Sequence, residues 1–274
     1  MREDHIMNTD SFAAIFGIIE QIRRRHPLVH CLTNNVVKNF TANTLLALDA
    51  APAMIEDPQE AFEFAALADA LLINVGTLTE SFMTTARSAV SSAVAAGKPW
   101  VLDPVAVGVV EKRTLFAREL LEKKPTLIRG NASEVIALSG RSGKGRGVDS
   151  GDTAASALNA AKLLAQSYES TVLITGEVDY ITDGKQVATC RNGHRLMTRV
   201  TGVGCVQGAL AAACAAVALD PFSAAVATAL IMAVSGELAA EQSKLPGSYQ
   251  IALLDALSTV DLPTLSKMAK IELL

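Results

Sequence analysis

Leu71-Leu72-Ile73-Asn74-Val75, closed by Gly76-Thr77 and followed by a helical segment over Glu80 to Ala96 and a second apolar run Trp100-Val101-Leu102, is the stretch whose reading decides the fold. Neither run alternates apolar with polar residues, so each predicts a strand covered on both faces. Two such strands joined by a crossover helix read as parallel neighbours. The unit recurs downstream. Arg113 to Lys123 reads as a helix, Thr126-Leu127-Ile128 as a strand, Ser133 to Ser139 as a helix, Asp152 to Gln166 as an alanine-rich helix after a glycine-rich basic loop (Gly140 to Gly147), and Thr171 to Ile174 as a strand.

Upstream, Ser11 to Arg25 places Phe12, Ile15, Ile18, Ile19 and Ile22 on one helical face. Leu28 to Leu32 reads as a strand, Val36 to Leu48 as a helix and Ala53-Met54-Ile55 as a short extended piece. Asp57-Pro58-Gln59-Glu60 combines a cap, a first-turn proline and a capping-box acid. Past the last parallel strand, Asp179 to Thr182 and Gln186 to Thr189 flank Asp183-Gly184 and predict an antiparallel hairpin at a sheet edge. The expected architecture is α/β: a largely parallel central sheet with helices on both faces and a small antiparallel edge hairpin, in one domain spanning 1–274.

Half of the 274 residues are hydrophobic and 19% are charged, enough for one large core, and no Pro- or Ser-rich linker divides the chain. A net charge of −4 with dispersed Lys and Arg argues against nucleic acid as a partner. His5, His26, His30 and His194 lack paired spacing, which argues against zinc, and His30 inside an apolar strand reads as a core histidine. The four cysteines form no CxxC pair, no secretory signal is visible at the polar start, and a reducing cytoplasm fits best. Val200 to Leu219 and Pro221 to Gly236 are charge-free. Their glycines, Gln207 and the N-cap pair Asp220-Pro221 nevertheless read as two buried helices, so no membrane is expected.

In a parallel sheet of this kind ligands bind outside the carboxyl ends of the strands. Asn35, Asp103, Arg129, Asn131, Glu134 and Thr175 all follow a predicted strand and should converge there. Asp103 and Glu134 offer oxygens of the type Mg²⁺ takes, directly or through water, although Asp103 also reads as a cap of the next helix or turn and Asn131 to Glu134 as a helix N-cap with Glu134 favourable to the dipole. Arg129 suits a phosphate. Thr201-Gly202-Val203-Gly204-Cys205 then opens an alanine-rich helix. Free N–H groups and the positive helix end make that turn an anion site, and Cys205 on the first turn is expected to have a lowered thiol pKa. Gly143-Lys144-Gly145 lacks the remainder of a Walker A loop, and neither a dinucleotide glycine fingerprint nor a nucleophile elbow is present.

The ordered set His30-Cys31-Leu32-Thr33-Asn34-Asn35-Val36-Val37, Asn74-Val75-Gly76-Thr77-Leu78, Leu102-Asp103-Pro104-Val105, Arg129-Gly130-Asn131-Ala132-Ser133-Glu134, Thr175-Gly176-Glu177-Val178-Asp179-Tyr180 and Gly202-Val203-Gly204-Cys205 resembles the hydroxyethylthiazole kinases, from about His26 to Asp255. The resemblance implies a ribokinase-like fold and a homotrimer. It also implies ATP- and Mg²⁺-dependent phosphorylation of 4-methyl-5-(2-hydroxyethyl)thiazole in thiamine biosynthesis or salvage. Carried onto this sequence, it implies that Arg129, Thr175 and Asn131 serve ATP, and that Met54, Gly202 and Asn35 serve the thiazole alcohol. Asp103 and Glu134 would lie near Mg²⁺ and the phosphates. Cys205, with Gly202 and Gly204 around it, stands where most ribokinase-like kinases carry an aspartate base. Two positions depart from the family pattern: Val203 replaces a usual threonine and Asp49 a usual glycine. A ribokinase-like kinase for another alcohol such as hydroxymethylpyrimidine or a sugar, a related repair dehydratase, and a catalytically silent metabolite-binding protein are the alternatives.

Overall fold

The computed structural model describes residues 9–140 and 154–274. The basic loop beyond Gly140 and the helix start at Asp152 fall outside them. In chain order the elements are α1 (Thr9–Phe16), α2 (Ile18–Arg25), β1 (Leu28–Leu32), α3 (Lys38–Ala47), β2 (Ala51–Ala53), α4 (Pro58–Leu67), β3 (Ala70–Asn74), α5 (Glu80–Ala95), β4 (Trp100–Asp103), α6 (Glu111–Leu121), β5 (Leu127–Asn131) and α7 (Ala132–Leu138). They continue with α8 (Ala154–Tyr168), β6 (Thr171–Thr175), β7 (Asp179–Thr182), β8 (Val187–Cys190), a 3₁₀ turn (Arg195–Arg199), α9 (Val203–Val217), α10 (Pro221–Gln242), α11 (Pro246–Thr259), α12 (Leu262–Met268) and β9 (Ile271–Leu273).

The strands form one sheet in the order β2-β1-β3-β4-β5-β6-β7-β8-β9. Pairing is parallel through β6 and antiparallel beyond it. Successive strand residues enter opposite cores, which is why the strands carry no polar alternation. Val29, Leu72, Val101, Leu127 and Leu173 join the core under the helices that open and close the chain, α1 to α3 and α9 to α12. Leu71, Ile73, Leu102, Ile128 and Val172 join the core under α4 to α8.

Local chemistry sets the boundaries. Asp57 caps α4 by accepting the amides of Gln59 and Glu60, and Asp220 caps α10 by accepting that of Ser223, each with proline in the first turn. The predicted N-terminal helix is interrupted for one residue at Gly17, across which the bonds Gly17 N to Ala13 O and Gln21 N to Gly17 O still run. Asp49 adopts φ +62° after α3. Glycine adopts this left-handed backbone freely, and aspartate is among the few other residues that tolerate it.

Several expectations shift. β4, β5 and β6 run on through Asp103, Asn131 and Thr175, so these residues and Arg129 lie within strands rather than after them. The short extended piece is β2 at Ala51–Ala53, which leaves Met54 and Ile55 beyond it. The Val36 helix begins only at Lys38. The hairpin β7-β8 does form, but its outer strand is covered by β9, which the sequence did not announce.

α10 is long and apolar enough to cross a membrane by length and composition, yet 83% of its apolar window is buried inside the protein. His30 is fully buried, its Nε2 2.9 Å from Ile55 O and its ring edge against Phe64, and burial holds its pKa below the usual value.

Candidate active site

The chain leaves β1 towards β2 on one side and returns to β3 on the other, so the strand order reverses between β1 and β3. A crevice opens at such a reversal, outside the strand ends. Pairing there sets Asn74 opposite Asp103 and, further along the sheet, Asn131 opposite Thr175. The side chains link up across the edge. Asn34, just past β1, donates Nδ2 to Asn74 Oδ1 at 3.0 Å and to Cys205 Sγ at 3.3 Å. Asn74 in turn donates Nδ2 to Asp103 Oδ2 at 2.5 Å.

Cys205 reaches this network because α9 brings its N-terminus over the strand ends. Gly202 precedes the helix at φ +95°, and a Cβ there would lie 2.7 Å from Val37 Cγ1. Both the backbone angle and the close approach to α3 demand glycine. A Cβ at Gly204 would stand 3.0 Å from Arg129 Nη2, and one at Gly208 would stand 3.3 Å from Asp103 Oδ2. The helix thus lies against the arginine and the aspartate with only glycines between them. The paired-glycine bend and the polar strand ends face the same crevice.

Asp103 is completely buried, and burial pushes its carboxyl up to about 7 against the opposing pull of the Arg129 guanidinium, with Glu134 adding to the rise. Its Oδ1 has no hydrogen-bond partner and lies 3.7 Å from Arg129 Nη1, too long for a hydrogen bond. Cys205 corrects an expectation. Its thiol is pushed up, not down, first by burial and next by the Asp103 charge, and the lowering effects of Asn74, Arg129 and Asn34 do not offset these. The helix end alone does not set the thiol's acidity.

Arg129 is held by neutral acceptors: Nε donates to Gln207 Oε1 at 3.2 Å and Nη2 to Thr175 Oγ1 at 3.0 Å. The Asp103 carboxylate pairs with it only at 3.7 Å and not in a bidentate hydrogen bond, which leaves donors of the guanidinium for an anion. Arg129, Thr175, Val203, Gly204 and Gln207 form one wall of a cleft of about 950 Å³. Asp179 also lines it, its carboxyl pushed up to about 6 by burial while accepting the Gly176 amide. The segment from Arg191 to Thr198 supplies further lining.

The remaining predicted residues sit around this centre. Glu134 and Asn131 form a reciprocal capping box. Glu134 Oε2 accepts the Asn131 amide and Oε1 the Ala106 amide, both at 2.9 Å, so this carboxylate also pins the loop after β4. Of the two asparagines after β1, Asn34 turns inward; Asn35 is exposed, with its amide on Thr77 Oγ1, beside a recess of about 100 Å³. Met54 follows β2, partly buried against the larger core. Sequence reasoning missed Asn34, Gln207 and Gly208. The spacing of Gly204 and Gly208, one helical turn apart, was the available signal for a helix face lying against something bulky.

A family model described as the hydroxyethylthiazole kinase family matches residues 19–262. The chain belongs to that family. A hydroxyethylthiazole kinase of Klebsiella pneumoniae (strain 342) is 56% identical over 236 residues, covering 86% of this chain and 91% of its own length. One from Akkermansia muciniphila is 49% identical and covers 92% and 93%. The solved structure of the hydroxyethylthiazole kinase protein from Pyrococcus horikoshii OT3 superposes with a TM-score of 0.88 at 36% identity, over 95% of this chain and 98% of that one. Membership in the hydroxyethylthiazole kinase family makes the chain a kinase, with ATP as co-substrate.

Proposed function

We propose that this chain transfers the γ-phosphoryl group of ATP to the primary alcohol of 4-methyl-5-(2-hydroxyethyl)thiazole, in the thiamine pathway. The observation that carries the reading is the N-terminus of α9. Its unpaired amides, the Arg129 charge and the Cys205 thiol meet at one point between a nucleotide-sized cleft and the strand ends.

The residues divide the work. Phosphoryl transfer through a loose transition state asks the protein mainly for positioning and for charge to meet the equatorial oxygens. Gly202 and Gly204 keep the helix amides accessible, while Thr175 and Gln207 aim the Arg129 fork. Cys205 receives the Asn34 N–H, and its thiolate, the minor form at neutral pH because burial raises the thiol's pKa, is the form that takes the proton leaving the alcohol late and becomes the thiol. Met54 and Asn35 are assigned to the thiazole side, and Asn131 to the nucleotide side beside Thr175.

The donor set fits Mg²⁺ accompanying ATP. Asp103 Oδ1 is a buried acceptor without a partner, and each Glu134 oxygen keeps a lone pair beyond its one amide. Among the described residues no cluster of three ligating side chains forms a cage. One or two carboxylates, with water and phosphate oxygens completing the shell, are what this ion usually takes. When bound it would neutralise developing phosphate charge. A homotrimer is supported by the resemblance alone, and a cytoplasmic location by the resemblance together with four cysteines that remain free thiols.

The test is ATP consumption with the hydroxyethyl thiazole as acceptor, against a panel that includes hydroxymethylpyrimidine and sugars. Turnover confined to the thiazole supports the reading; turnover only with another alcohol, or with none, refutes it.

A further inference from the structure

The cleft wall from Arg191 to Thr198 is a loop and a 3₁₀ turn, with no sheet partner beyond Arg191, yet it must hold still for the cleft to keep its shape. Two adjacent residues of α10 hold it. Glu237 Oε1 accepts the Gly193 amide at 3.0 Å, and its Oε2 accepts Asn192 Nδ2 at 3.2 Å. Lys270 Nζ balances the carboxylate at 3.0 Å from Oε1. Asn192 is itself buried and saturated: Nδ2 also donates to Met268 O, and Oδ1 accepts the Lys270 amide. Gly193, at φ +131°, lets the chain turn over the carboxylate. One residue back, a Cβ on Gly236 would lie 2.6 Å from Met197 Sδ, so the glycine makes room for the other anchor of the same wall.

We infer that Glu237 is a positioning residue for nucleotide binding, fixing through Asn192 and Gly193 the segment that lines the cleft together with Arg129 and Thr175. It touches no reacting atom. The inference rests on the kinase reading, because that reading assigns the cleft to ATP. It gives the C-terminal segment a role there: Lys270 and the docking of β9 on β8 hold the counter-charge in place.

A glutamine at 237 would keep the size but lose the charge, and its NH₂ would face a donor at Gly193 or Asn192. The experiment measures KM for ATP, KM for the thiazole alcohol, kcat, and direct ATP binding by calorimetry for wild type, Glu237→Gln and Lys270→Met, with melting temperatures alongside. For Glu237→Gln a rise in the ATP KM and in the calorimetric Kd of roughly tenfold is expected, with kcat and the alcohol KM within about twofold. Lys270→Met, which spares both wall contacts, should move the same two quantities by a smaller factor and covers the case in which the glutamine variant fails to fold. A lowered melting temperature with ATP binding unchanged, or an equal loss for both substrates, overturns the inference and leaves the kinase reading intact. Absence of ATP binding by the wild-type protein overturns the kinase reading and the inference together.

Discussion

Replacing Asp103 with asparagine should make the unliganded protein more stable at neutral pH while removing its activity. The carboxyl is wholly buried, its Oδ1 lacks a hydrogen bond, and its pKa rises from 3.8 to about 7 with burial as the main cause. The folded state therefore holds a proton that the unfolded chain releases, and stability falls as pH rises from the unfolded value to the folded one, then levels off. At ~1.4 kcal/mol for each pH unit crossed, the wild-type protein carries a penalty of up to ~4 kcal/mol at pH 8 that an uncharged asparagine escapes. Near pH 4 the penalty vanishes. Urea unfolding of both proteins from pH 4 to pH 8 should show Asp103→Asn gaining on wild type through pH 7 and holding a constant lead above it. Turnover should drop by about a hundredfold or more, since the site loses the charge poised beside Arg129. Equal stabilities at all pH values, or a lead that shrinks as pH rises, would show that the carboxyl is not paying for burial in the folded state.

Gly202→Val should abolish turnover, because the φ of +95° and the 2.7 Å approach to Val37 leave no place for a branched side chain; full activity would move the anion site elsewhere. Cys205→Ser should lower kcat with little change in the KM for the thiazole alcohol, and an unchanged kcat would remove the thiol from the chemistry. The same thiol, raised above its usual range, implies a wild-type kcat that climbs with pH through the alkaline region, where the thiolate fraction grows; a serine variant with an identical climb would assign the titration to another group. Asp49→Gly should stabilise the fold by less than ~1 kcal/mol, as relief of the left-handed strain is partly offset by a floppier unfolded chain. A loss larger than that in thermal unfolding would mean that the 4.0 Å pair with Arg23 matters more than exposed pairs usually do.

The parallel layers were legible because their strands are apolar on both faces and each ends at a polar turn, so Leu71 to Val75 and Thr171 to Ile174 fall within a residue or so of β3 and β6. Convergence of Asp103, Arg129, Glu134 and Thr175 followed from topology alone. What remained hidden depends on contacts distant in sequence. Ile271-Glu272-Leu273 is a strand only because β8 offers it a free edge. Asn34 and Asn35 differ in direction by one residue of a turn, which no periodicity encodes. Gln207 and Gly208 look like filler in an apolar helix, and only the placement of β4 and β5 beneath them gives them partners. The acidity of Cys205 was read from the helix end, whereas burial and a neighbouring acid decide it.

α9 runs through the middle of the molecule with Ala209, Leu210, Ala211, Ala212, Ala213 and Cys214 almost wholly out of water. A rod packed on every side has no slack along its axis. An extra methyl in this alanine tract would shift the helix as a unit and carry the Gly202 end with it. Variants made to probe the interior of α9 should therefore surface as catalytic defects as well as in stability, where overpacking costs about 1–3 kcal/mol.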